Sequence, residues 1–254
     1  MSDALPEPES RPAARASGVV AIGAAFRSLT ILGAGRAAGP IDAAAVYYPL
    51  VGLVLGALWM ATDRAVSALA GRTGASVAVV LVAAAATRMR PLRALGRTLA
   101  AMLSPRARRL TVLESGAGMV VGACTAVVVA AELAAVDALG RLRLLGLGFA
   151  PVLGCCSLVV LAVGSRAARA DGRRLKFAPE VTFREFGIAS AATFAAVSIT
   201  SEFLGLVLVV ATATFALAAR VAWHRWIDGV NETAVLATGE AVQLLVLVLV
   251  AALS

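Results

Sequence analysis

Apolar residues occur along the chain in blocks, and the length of each block matches that of a membrane-spanning helix. The blocks cover residues 43–61, 65–86, 117–139, 144–163, 186–200, 203–219 and 233–253. A helix needs about 20 predominantly apolar residues to cross the hydrocarbon core of a bilayer. The pattern therefore predicts about seven transmembrane helices. A shorter apolar stretch, Val19 to Leu32, is interrupted by Arg27 and predicts an interfacial or half-inserted helix.

The polar segments between these blocks alternate between rich and poor in basic residues. Segment 88–115 carries seven arginines, and segment 164–185 carries five arginines and Lys176. The segments in between hold only Arg64 and Arg72, then Arg141 and Arg143, and none around Glu202. Basic loops of membrane proteins lie in the cytoplasm. The alternation predicts a multi-pass protein of the inner (cytoplasmic) membrane with a cytoplasmic N-terminus.

Composition supports the same class of protein. Hydrophobic residues make up 60% of the 254 residues and charged residues 15%, with a net charge of +8. We expect residues 1–17, which are acidic, Pro-rich and then basic, to form a disordered tail, and residues 18–254 to form a single transmembrane helical domain. The fold class is an all-α polytopic membrane bundle with additional short interfacial helices. The lipid bilayer is therefore a partner, whereas the oligomeric state stays open.

The arginines, the cysteines and the single histidine argue against nucleic-acid binding, a metal site and a catalytic triad, respectively. The arginines lie between apolar blocks without interleaved aromatic residues, so we expect no nucleic-acid binding. Cys124, Cys155 and Cys156 lie inside apolar blocks and lack metal-binding spacing, so they read as small buried residues. The single histidine, His224, has no nearby nucleophile pattern, so a catalytic triad is not supported.

The stretch "TRMRPLRALGRTLAAM", residues 87–102, follows an apolar block directly. Pro91 suits a first helical turn, and one apolar stripe comprises Leu92, Leu95, Leu99 and Met102. The stretch is too short to span a bilayer, so it predicts an amphipathic helix at the membrane interface. Arg93 and Arg97 lie one turn apart on another face. They either contact lipid head groups or bind phosphate.

Two further polar segments stand on the same predicted side. In "VLESGAGMVVGA", Glu114 and Ser115 precede a predicted span, where they either start the helix or, with Gly116 and Gly118, receive a ligand. In "RWIDGVNETAVLATGEAVQ", Arg225, Asp228 and Glu232 precede the last span, and Glu240 lies two turns inside it. A charged group in the membrane, such as Glu240 or Glu132, is costly and faces a partner or an aqueous cavity.

Several of these stretches stand in an order that resembles one family. "FRSLTILG" (26–33) is similar to a "FLTRLPV" opening, and "YYPLVGLVLG" (47–56) to a "FPLVGLLLG" span. "VLESGAGMVV" (112–121) is similar to "MKDSRIGTFG", and "GVNETAVLATGEAVQ" (229–243) to "GYTGDVLGAANELTE". Over roughly residues 26 to 250 the chain resembles adenosylcobinamide-GDP ribazoletransferase, also called cobalamin 5'-phosphate synthase.

The resemblance implies a membrane transferase that joins GDP-activated corrinoid to α-ribazole and releases GMP with Mg²⁺. The family's "TGGLHLDGLADTADGL" signature, with its magnesium-binding aspartates, is replaced here by residues 87–102. Arg93, Arg97 and Ala100 stand where aspartates belong.

We therefore assign catalytic roles to Glu114, Ser115 and Glu240 and metal binding to Glu114 and Glu232. Binding of a phosphate-bearing corrinoid or nucleotide-linked substrate is assigned to Arg93, Arg97, Gly118 and Arg225. Two alternatives stay open. One is an inactive relative that binds a corrinoid intermediate or scaffolds a membrane assembly, and the other is a small-molecule transporter.

Overall fold

The structure is a computed structural model that describes residues 18–31, 44–166, 168–170, 173–174, 181–200 and 202–254. The predicted tail at 1–17 lies outside the described residues. In the described part the chain forms nine α-helices: α1 (Gly18–Leu29), α2 (Tyr48–Ala86), α3 (Arg90–Met102), α4 (Arg109–Ser115), α5 (Met119–Ala138), α6 (Arg143–Ala162), α7 (Phe183–Thr200), α8 (Glu202–Ile227) and α9 (Glu232–Leu253). Two 3₁₀ turns, Ala45–Tyr47 and Arg106–Arg108, and a short antiparallel pair, Arg169–Ala170 with Arg173–Arg174, complete it.

The helical membrane class is confirmed, but the count of seven spans is not. Five described segments are long and apolar enough to cross a membrane: Ala45–Ala86, Met119–Ala138, Arg143–Ala162, Phe203–Ile227 and Glu232–Leu253. The predicted end of one span at Ala219 is two turns short, because α8 continues to Ile227. Trp223 and Ile227 are buried in the core, and this burial stabilises the extra turns.

The first of these segments turns back on itself at Gly71. Gly71 has φ 69° and ψ −172°, a backbone conformation that is essentially restricted to glycine. The guanidinium of Arg143 binds Asp63 Oδ1 at 2.8 Å and Ser76 Oγ at 3.0 Å. In a straight helix, Asp63 and Ser76 would lie about 20 Å apart along the axis. The parts of α2 before and after Gly71 therefore lie side by side.

Helix α6 forms the centre of the bundle, with 15 of its 20 residues buried. It packs closely against α2 through glycines. A Cβ atom on Gly52 would lie 2.6 Å from the carbonyl oxygen of Pro151, and one on Gly56 would lie 2.6 Å from that of Gly148. Small residues allow this approach between helix backbones. The glycines of "YYPLVGLVLG" thus serve helix packing.

Helix α3, Arg90–Met102, forms where the sequence predicts a short amphipathic helix. It packs between α5 and α9, and Leu92, Gly96 and Thr98 are among its buried residues. Leu92 of the predicted apolar stripe is buried, whereas Met102 is 58% exposed. Small residues allow α3 to bury two sides, whereas the leucine spacing indicated only one.

Candidate functional site

A cavity of about 410 Å³ lies where α3, α4 and α9 meet. Arginine is its most frequent lining residue. The lining side chains are Arg88, Arg90, Arg93, Ala94, Arg97, Glu114, Asn231, Glu232, Thr233 and Leu236. Four guanidinium groups and two carboxylates give this arginine cavity a formal charge of +2. Such a charge favours an anionic ligand.

The turn between α2 and α3 brings the arginines together. Arg88 and Met89 both have left-handed backbones, with φ of 54° and 55°, which is uncommon for residues other than glycine. After this turn, Arg90, Arg93 and Arg97 follow at intervals of three and four residues, which places them on one face of α3. The tight turn adds Arg88 to the same cavity.

One arginine is held by protein groups. Arg90 donates a hydrogen bond from Nη1 to the carbonyl oxygen of Ser28 at 2.7 Å, and its other terminal nitrogen pairs with Glu232. Both side chains of this ion pair are partly exposed, at 42% and 49%. This pair ties α1, α3 and α9 together at the rim of the cavity.

The other three arginines of the cavity are not bound by the side chains that the structure describes. Arg88, Arg93 and Arg97 form no ion pair or side-chain hydrogen bond with any residue that the structure describes. The Nε atom of Arg97 is buried and lacks a hydrogen-bond partner in this part of the chain. A buried donor without an acceptor is costly, and an anion in the cavity would satisfy it.

The opposite wall is the start of α9. Asn231 caps this helix by accepting a hydrogen bond from the Ala234 backbone N–H at 2.8 Å. Thr233 donates to the carbonyl oxygen of Leu113 at 2.8 Å, which fixes α4 against α9. Val230 accepts a backbone hydrogen bond from Ala168 at 2.9 Å and donates one to the carbonyl oxygen of Arg166 at 2.8 Å. Residues from both basic segments, 88–115 and 164–185, thus meet the start of α9 at this end.

The structure brings together four of the predicted site residues, Arg93, Arg97, Glu114 and Glu232. The others lie outside the arginine cavity. Ser115 is exposed and donates to the carbonyl oxygen of Thr111 at 3.2 Å, and Gly118 precedes α5 with φ 125°. Arg225 is exposed on the last turn of α8, and Glu240 lines a separate buried cavity. The proposed catalytic set of Glu114, Ser115 and Glu240 therefore does not share one cavity.

The sequence did not assign four polar lining residues to the site: Arg88, Arg90, Asn231 and Thr233. The Asn-Glu-Thr start of α9 carried a usable signal, because asparagine is a favoured helix cap. No sequence signal indicated that Arg88 lines the cavity, because its position depends on two successive residues with left-handed backbones.

The carboxylates of the arginine cavity do not fit a resident Mg²⁺. In the part of the chain that the structure describes, no group of three or more His, Cys, Asp or Glu side chains could hold a metal ion. Mg²⁺ takes oxygen ligands, whereas guanidinium groups only donate hydrogen bonds and repel a cation. Glu232 is already paired with Arg90. The guanidinium groups of the arginine cavity match phosphate oxygens instead.

Comparison with known families gives one match. The CobS family model, described as cobalamin-5-phosphate synthase, matches residues 21–251. No curated protein matched the chain, and no solved structure did. The matched range includes the whole arginine cavity.

Proposed function

Because the chain belongs to the cobalamin-5-phosphate synthase family, we propose that it is a membrane-bound transferase of the cobalamin synthase type. Its substrates are adenosylcobinamide-GDP and α-ribazole, and it releases GMP. The observation that carries this proposal is the arginine cavity, in which Arg88, Arg93 and Arg97 present guanidinium groups that no described residue pairs with. A substrate that bears a pyrophosphate supplies the anionic oxygens these groups need.

In the proposed reaction, the arginines bind the pyrophosphate directly. A hydroxyl oxygen of α-ribazole forms a bond to the phosphorus that carries the corrinoid, and the bond from that phosphorus to the GMP oxygen breaks. Arg93 and Arg97 stabilise negative charge on the transferring and leaving phosphate groups. Glu114 lines the same cavity and accepts the hydroxyl proton. Arg90 holds Glu232 at the rim.

The proposed topology has seven crossings. The turn at Gly71 divides α2 into two of them, and α5, α6, α8 and α9 supply four more. Helix α7, with 18 residues, is the seventh. We place these crossings in the inner (cytoplasmic) membrane. Under the positive-inside rule, the arginine cavity then faces the cytoplasm.

The donor chemistry of the cavity favours a second candidate function, a non-catalytic relative. Arg93 and Arg97 stand where the family signature has aspartates, and the carboxylates present do not fit Mg²⁺. Such a protein would bind the same corrinoid or nucleotide-linked intermediate in the same cavity without transferring it.

The two candidates are separated by measuring GMP release and ligand binding together. Protein in nanodiscs receives adenosylcobinamide-GDP and α-ribazole, with Mg²⁺ or with a chelator. The transferase releases GMP, and Arg93→Ala with Arg97→Ala lowers kcat/KM by at least about 10²-fold, the effect of removing one stabilising donor. Arg106→Ala is the control, because Arg106 is exposed and lies outside the cavity.

Each outcome has a distinct meaning. Binding that the double substitution abolishes, without GMP release under any condition, supports the non-catalytic candidate and excludes the transferase. If the wild-type protein binds neither substrate, both candidates are wrong.

A further inference from the structure

A second cavity lies inside the membrane-spanning part of the bundle and has room for a few water molecules, with a volume of about 40 Å³. Its polar lining includes Trp59 of α2, Glu132 of α5, and Glu240 and Gln243 of α9. We refer to it as the glutamate cavity. None of these residues lines the arginine cavity, although Leu236 borders both.

Two buried polar atoms at the glutamate cavity have no hydrogen-bond partner among the described residues. One is a donor and the other is an acceptor. Trp59 is only 3% exposed, and its indole Nε1 has no acceptor among the described residues. Glu132 is 4% exposed, and its Oε2 has no donor among them. A buried donor or acceptor without a hydrogen-bond partner destabilises the fold. Water in the cavity would accept from Trp59 and donate to Glu132.

The charges around the cavity are also unbalanced. Glu240 is 5% exposed, accepts a 3.2 Å hydrogen bond from Gln243 Nε2, and interacts electrostatically with Glu132. No lysine, arginine or histidine belongs to the described residues that line the cavity, and Cys155 of α6 is its remaining titratable group. Two ionised carboxylates without a counter-charge would be very unfavourable inside a membrane. One monovalent cation would offset half of this charge and reduce the repulsion between the two carboxylates.

We propose that the glutamate cavity is a hydrated site in which Glu132 and Glu240 together hold one exchangeable monovalent cation, either a proton or sodium. Trp59 and Gln243 orient the water and the carboxyl group around it. The site is independent of the proposed function, because it requires neither corrinoid binding nor transfer.

Infrared spectroscopy of the protein in nanodiscs at neutral pH tests this directly. In choline chloride without sodium, the wild-type protein should show the C=O stretch of an un-ionised carboxylic acid, which Glu132→Gln combined with Glu240→Gln removes. A band that decreases when sodium chloride replaces choline chloride identifies sodium as a competing occupant. A band that does not change identifies the proton alone. If choline chloride reveals no band that the double substitution removes, the proposal is wrong.

Two further variants guard against a folding artefact. Glu185→Gln is the matched control, because Glu185 is half-buried away from the glutamate cavity and forms a capping box with Thr182 that glutamine also supports. It should leave the band unchanged. Trp59→Phe keeps both carboxyl groups but removes the indole donor, so the band should shift in frequency as the hydrogen-bonded water is lost. An unshifted band would overturn the hydrated part of the proposal.

Discussion

Arg143, at the end of the molecule opposite the arginine cavity, joins three parts of the fold. Its Nε and Nη2 atoms contact Asp63 Oδ1 at 2.8 and 2.7 Å, and Nη2 also donates to Ser76 at 3.0 Å. The remaining terminal nitrogen donates to the carbonyl oxygen of Val136 at 2.8 Å. The Arg143 and Asp63 side chains are only 13% and 8% exposed. This ion pair is therefore shielded from solvent, unlike the pair between Arg90 and Glu232.

Replacing Asp63 with alanine should destabilise the protein strongly. The substitution leaves the buried guanidinium of Arg143 without its counter-charge, and breaking a buried pair from one side costs about 3–5 kcal/mol. Unfolding in detergent, followed by circular dichroism, measures the loss. Arg64→Ala is the control, because the neighbouring Arg64 is exposed and should change stability by no more than about 0.5 kcal/mol. Equal unfolding curves for the two variants would contradict the role assigned to this pair.

Single residues were predictable from the sequence only where local spacing determined their placement. Arg93 and Arg97 share the arginine cavity because helical periodicity places them on one face. The bond between Arg143 and Asp63 joins residues 80 positions apart, and no local pattern indicates it. The same holds for Trp59 and Glu132, whose shared cavity depends on how α2, α5 and α9 pack.

At the scale of elements, the contact between α3 and α5 controls where the arginines lie. Gly96 stands between Arg93 and Arg97 along α3 and packs directly on Thr125 of α5. A Cβ atom on Gly96 would lie 2.2 Å from Thr125 Oγ1 and 2.8 Å from its Cα. The Cα atom belongs to the backbone, so rotation of the threonine side chain cannot relieve the clash.

Gly96→Ala should therefore push α3 away from α5 and weaken anion binding in the arginine cavity. Overpacking of this kind costs about 1–3 kcal/mol, which unfolding in detergent can measure alongside adenosylcobinamide-GDP binding. Gly122→Ala on α5 provides the comparison, because nothing lies within 4 Å of an added Cβ there. That variant should be neutral or more stable by up to about 1 kcal/mol, since alanine favours a helix. Equal effects of both substitutions would show that the close contact at Gly96 is unimportant.

The sequence predicted elements best where apolar length alone defines them. Helices α5, α6 and α9 begin and end within a few residues of the predicted spans, because leaving the hydrocarbon region ends each apolar block. For α3 the sequence predicted a short amphipathic helix but not its packing between α5 and α9 through glycine and alanine. The first two apolar blocks were predicted to be separated at residues 62–64, whereas the turn lies at Gly71, where glycine permits a backbone conformation that other residues avoid.

For the whole molecule, the two polar ends follow the alternation of charge along the chain. Glu232 at the start of α9 lines the arginine cavity, whereas Ser254 just beyond its end accepts a hydrogen bond from Gly140 N at 3.0 Å. Gly140 stands next to the poorly basic segment that contains Arg143. The arginine-rich and arginine-poor segments thus lie at opposite ends of the same helix, as the loop charges predicted.

Accessibility of introduced cysteines to a membrane-impermeant maleimide tests which end faces the cytoplasm. Arg106 and Arg141 are exposed near the arginine-rich and arginine-poor ends, respectively. In a background without Cys124, Cys155 and Cys156, we expect Arg106→Cys to react in inside-out vesicles but not in intact cells, because basic loops stay in the cytoplasm. Arg141→Cys should show the reverse. Reaction of both cysteines from the same side would contradict the opposite placement of the two ends, and an exchanged pattern would place the arginine cavity outside, away from cytoplasmic nucleotides.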